Sequence, residues 1–104
     1  MKLRSKRLAN GGVELKVLID HPMESGRRVD DVSGQAVPAH YLTHLSVALN
    51  DKIVSRAELG TAIARNPYFA FRLRECKTGD RIQVSWEDNR GGKDSLETRV
   101  EAGL

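Results

Sequence analysis

Three histidines, one cysteine and a few serines are the side chains of this chain most capable of chemistry. His40 and His44 stand four positions apart. On a helix that spacing would aim two imidazoles at one metal ion. The surrounding pattern instead reads as a strand, where positions i and i+4 lie about 13 Å apart. Zinc–nitrogen bonds are about 2 Å long, so this pair cannot share an ion. Two strand residues facing solvent or a partner are expected.

His21-Pro22-Met23-Glu24-Ser25-Gly26 is the least ordinary stretch. Pro22 keeps His21 extended, Gly26 lets the backbone turn, and Met23 offers a soft, adaptable surface. A histidine near a glutamate suggests acid–base work, but neither a nucleophile nor a second carboxylate accompanies them. A structured loop whose side chains cap or contact something is the expectation.

Cys76 is the single cysteine, so the chain forms no internal disulfide. It reads as a partly buried small residue, with a thiol open to a partner's cysteine as the alternative. Ser25, Ser33 and Ser46 lack a G-x-S-x-G setting. The glycines form neither G-x-G-x-x-G nor G-x-x-x-x-G-K. No residue is therefore assigned a catalytic, cofactor-binding or metal-binding role, and the residues by themselves describe a non-enzymatic β-sandwich.

The elements that must position these residues alternate with period two, the mark of half-buried strands. Val13–Asp20 places Val13, Leu15, Val17 and Ile19 on one face. Ala39–Asn50 places Tyr41, Leu45, Val47 and Leu49 opposite His40, His44 and Ser46. Tyr68–Glu75 opposes Phe69, Phe71 and Leu73 to Arg72 and Arg74. Arg81–Asp88 opposes Ile82, Val84 and Trp86 to Arg81, Gln83 and Glu87, which predicts Trp86 in the core. Ser95–Glu101 turns Leu96, Thr98 and Val100 inward.

Turn residues punctuate the pattern. Asn10-Gly11-Gly12 follows a first strand over Leu3–Leu8, Asn50-Asp51 divides two strands, and Asn89-Arg90-Gly91-Gly92 forms a last hairpin. About seven short strands at this spacing make an all-β sandwich, in one domain over residues 1–104. Pro22–Pro38 reads as a long ordered loop crossing between sheets. Leu59–Asn66 is expected to form one or two helical turns before Pro67.

Charge and length narrow the functions. The chain has 104 residues, with 17 Lys+Arg against 14 Asp+Glu and a net charge of +3. That is an ordinary solubility charge, and its mild clusters (Lys2, Arg4, Lys6, Arg7 and Arg72 to Arg74) lack interleaved aromatics. The expectation is no nucleic-acid partner. No apolar run approaches the ~20 residues of a membrane helix, and no membrane partner is expected. The opening MKLRSKRLANGG has the charges of a signal peptide without its apolar stretch. Arg27-Arg28 is a twin arginine only in letters.

Taken together, His21–Gly26, Val37-Pro38-Ala39-His40-Tyr41, Asn66-Pro67-Tyr68, Gly79-Asp80 and Trp86-Glu87-Asp88-Asn89 resemble the SoxZ family over roughly Leu3 to Glu101. Ser25 stands where that pattern usually has Thr. The resemblance implies an immunoglobulin-like β-sandwich with no cofactor and no catalysis of its own. It implies a heterodimer with SoxY, whose C-terminal cysteine arm carries sulfur intermediates during thiosulfate oxidation and meets the other Sox enzymes in turn. This chain has no Gly-Gly-Cys-Gly-Gly and closes on Glu101-Ala102-Gly103-Leu104, so the role expected for it is the non-carrier one. The resemblance also implies a periplasmic location, reached by export together with the partner. His21, Met23, Glu24, His40 and Tyr41 are the expected partner contacts. A stand-alone interaction sandwich and a small basic nucleic-acid-binding barrel are the alternative readings.

Overall fold

Valine, isoleucine, leucine and phenylalanine at every second position all reach one side of a pleated backbone, and burying that side drives strand formation. The computed structural model describes residues 1–101. The closing Ala102-Gly103-Leu104, and with them the end of the predicted domain, lie outside the described residues. Seven strands follow in order: β1 (Lys2–Arg7), β2 (Val13–Leu18), β3 (Leu42–Leu49), β4 (Lys52–Glu58), β5 (Tyr68–Leu73), β6 (Arg81–Asp88) and β7 (Lys93–Arg99).

They build two antiparallel sheets, β1-β2-β5 and β4-β3-β6-β7. This is the expected all-β, immunoglobulin-like sandwich, with the chain crossing between sheets after β2, β4 and β5. Val13, Leu15 and Val17 from the smaller sheet, and Leu45, Val47, Ile82 and Val84 from the larger, belong to one buried cluster. Each contributes roughly 1.5–3 kcal/mol by leaving water.

The turns explain the pairing. Asn50 and Asp51 both have positive φ, 49° and 69°, as a two-residue hairpin with the twist of its strands requires. Gly11 and Gly91 hold φ of 86° and 79° in the β1–β2 and β6–β7 hairpins. Gly12 has a different reason to lack a side chain. A Cβ there would sit 2.6 Å from the Leu73 carbonyl oxygen, where β2 runs against β5.

Three expectations are corrected. Leu59–Asn66 forms turns and bends rather than helix. So short a segment cannot repay helix nucleation while spanning from one sheet to the other. Leu96 keeps the inward phase but is 40% exposed, because β7 is an edge strand with a neighbour on one side only. Trp86 is partly rather than fully buried, packed against the core cluster.

The larger correction concerns β3. It begins at Leu42, and its pairing with β6 shifts register between Leu42 and His44. Strict alternation across that bulge would place His40 and His44 on one face, but the extra residue breaks the phase. Leu42 and Leu45 are both buried. His40 turns toward the end of the sandwich, where it meets Asp88. His44 bonds Thr43 Oγ1 and stands 4.0 Å from Glu87.

Candidate functional site

Two apolar alternations end on polar residues that keep their phase. Val13, Leu15, Val17 and Ile19 continue to His21; Ile82, Val84 and Trp86 continue to Asp88. Each series is aimed into the sandwich, one from each sheet, so its last member arrives inside. There the His21 Nε2 stands 3.1 Å from Asp88 Oδ2, and His40 Nε2 stands 2.8 Å from the same oxygen. The other carboxylate oxygen accepts the backbone N–H groups of Arg90 at 3.0 Å and Gly92 at 2.7 Å.

Burial alone would push the Asp88 carboxyl up. Hydrogen bonds from His21, His40, Gly92 and Arg90 outweigh it and hold the group far below the usual carboxylate range. Gly92 is the residue that permits this approach, because a Cβ there would lie 2.5 Å from Asp88 Oδ2. The rings stack edgewise around the carboxylate: His21 lies 4.6 Å from His40 and 5.7 Å from Trp86, centroid to centroid. The Trp86 indole N–H is buried with no hydrogen-bond partner among the described residues.

Backbone clamps hold both histidines in place. Asn66 Oδ1 accepts the His21 N–H at 3.0 Å, and the Asn66 N–H returns to the His21 carbonyl at 3.0 Å. Asn89 does the same work at the other wall. Its Oδ1 accepts the Tyr41 N–H at 2.8 Å, its Nδ2 donates to the Ala39 carbonyl, and its own N–H donates to the Tyr41 carbonyl. A two-bond bridge joins Glu24 to His40. Met23, at φ 50°, turns its N–H onto His21 Nδ1 at 3.2 Å, and its sulfur accepts the Leu42 N–H at 3.4 Å beside the bulge.

The ligand-type atoms of His21, His40 and Asp88 lie within 4.8 Å of one another, close enough to surround one cation. The hydrogen bonds do not suit one. A metal-bound imidazole gives the lone pair of one nitrogen and donates from the other. His21 Nδ1 instead accepts from Met23, which leaves the proton on Nε2, facing Asp88. Freeing the Nε2 lone pair for a metal would move the proton to Nδ1 and set N–H against N–H at Met23. The arrangement is a hydrogen-bond hub that ties two sheets and the long loop together.

The predicted contact residues therefore separate. His21 and Met23 are buried and spend their polar atoms inside the chain, while Glu24, His40 and Tyr41 are partly exposed along the rim. The His21–Glu24 acid–base pairing does not form: Glu24 grips Arg28 through three contacts of 2.7–3.1 Å. Asp88 was missed. Its signal was the period-two phase it shares with Ile82, Val84 and Trp86, which marks an inward carboxylate. Cys76 is buried, its sulfur donates to the Arg74 carbonyl, and burial pushes the thiol up, with Asp80 adding to the effect against Arg7. Arg7 donates to the Cys76 carbonyl, holding that turn closed.

Comparison with known proteins matches the chain over residues 1–99 to a family model described as sulphur oxidation protein SoxZ. No curated protein matches it.

Proposed function

The chain belongs to the SoxZ family, with a role in sulfur oxidation, and we propose that it is the non-catalytic scaffold subunit that holds SoxY while the cysteine arm of SoxY carries the sulfur intermediates. The observation that supports this reading is the fate of the chain's own reactive groups. His21 and His40 both spend Nε2 on the Asp88 carboxylate, and the Cys76 thiol is covered. What remains open is a surface whose backbone is tied down by the Asn66 and Asn89 clamps, and a surface already ordered binds without the entropy cost of ordering it. The setting we assign is the periplasm, reached in company with SoxY, as the family resemblance implies.

The partly exposed Glu24, His40 and Tyr41 are the residues we assign to partner contact. Co-expression with a SoxY from the same genome, followed by native mass measurement, is expected to yield a one-to-one complex that a Glu24→Ala/Tyr41→Ala variant assembles poorly. Failure of the unmodified chain to form the complex overturns the scaffold reading. So does a sulfane adduct, or turnover of thiosulfate, on the chain purified alone.

A further inference from the structure

Pleating sorts the smaller sheet into two faces, and its register sorts the outer face into rows. Lys2, Leu18 and Tyr68 form one row; Arg4, Lys16 and Ala70 the next; Lys6, Glu14 and Arg72 the third. With strands about 4.8 Å apart and alternate residues about 6.7 Å apart, the rows cover a flat area of about 10 by 13 Å. Five cations and one carboxylate give that area a net charge of +4. The whole chain sums to +3, so everything else carries −1.

This charge is poorly neutralised. Among the described residues, only Lys16 of the five has a carboxylate within reach, Glu14 at 3.6 Å. Arg4 and Lys16 lie directly across the ladder from each other, a like-charge pairing that costs stability. The spacings are shorter than the Debye length of about 8 Å at physiological salt, so the cations act on a visitor as one source of field. At one end of the patch Tyr68 is 57% exposed and Leu18 38%, beside Lys2. Apolar anchors next to cations are the makeup of a protein interface.

We propose that the outer face of β1-β2-β5 is a docking surface for a partner protein with a carboxylate-rich surface. A single aromatic offers no succession of stacking platforms for bases, and the cations stand beside apolar Leu18 and Tyr68, so an acidic protein fits the patch better than a nucleic acid. The inference goes beyond the SoxY reading. It uses neither the hub nor its rim, and either can fail without the other.

The test titrates the isotope-labelled chain with a short poly-L-glutamate and, separately, with an oligo-thymidylate of equal length, reading amide shifts. Saturable shifts confined to β1, β2 and β5 are expected with polyglutamate, weakened at least roughly tenfold between 50 and 200 mM salt. Arg4→Glu/Lys16→Glu should abolish them, and Arg56→Glu on the other sheet should leave them intact. No saturable binding of polyglutamate, shifts centred on the larger sheet, or oligo-thymidylate binding as tight as polyglutamate each overturns the proposal.

Discussion

At Asp88 four donors converge on one buried carboxylate. Asn at this position keeps the size but turns an amide toward two histidine N–H groups. His21 cannot switch its proton to relieve the clash, since Met23 occupies Nδ1. Asp88→Asn is expected to cost roughly 3 kcal/mol, read as the loss in urea stability at pH 7. The sign of the pH dependence follows. A carboxyl held low in the folded state contributes stability fully above its unfolded value near 4, and loses it as pH falls through the folded one. Stability of the native chain should therefore decline with acid below about pH 4. The variant should show a shallower decline, the remainder coming from the partly exposed Glu24, Asp30 and Asp80, which are lowered by their own hydrogen bonds. An unchanged acid slope in Asp88→Asn contradicts this account.

Strands and turns were the most legible elements. Alternation located five of the seven strands to within a few residues, and the turn residues located the first strand and the hairpins, because both depend on local chemistry. The bulge in β3 was not legible. Nothing in Leu42-Thr43-His44 announces an extra residue; it is set by where β6 and the Glu24–His40 bridge hold the chain. Gly12 was read only as a turn residue, yet its lack of a side chain is demanded by β5. Gly12→Ala pushes a Cβ into a backbone carbonyl that cannot swing aside, and should cost roughly 1–3 kcal/mol. Gly11→Ala meets no neighbour but strains a positive φ. Thermal unfolding of the two variants, with the Phe69–Leu73 amides of Gly12→Ala followed by hydrogen exchange, separates the causes: only Gly12→Ala should loosen β5.

At the scale of the molecule, two sheets close over one aliphatic cluster that a single deletion tests. Leu15 is fully buried in the middle of β2, and Leu15→Ala should lower stability by roughly 2–5 kcal/mol by leaving a cavity. In a chain of this size that corresponds to a fall in Tm of about 4–8 °C for each kcal/mol. A loss below about 1 kcal/mol would mean the sheets pack less tightly than this cluster implies. Residue order alone determined which positions of β2, β5 and β6 face in and which face out, where the chain reverses, and that the fold is all β. Those are decided within a few residues by period-two burial and turn chemistry. Tertiary structure decided the rest: which sheet each strand joins, that His21 and Asp88 meet across 67 positions, and that weak basic clusters at residues 2–6 and 72 become one surface. β1 and β5 flank β2 because long-range pairing follows the burial of whole faces, and no local pattern encodes which neighbour a strand will find.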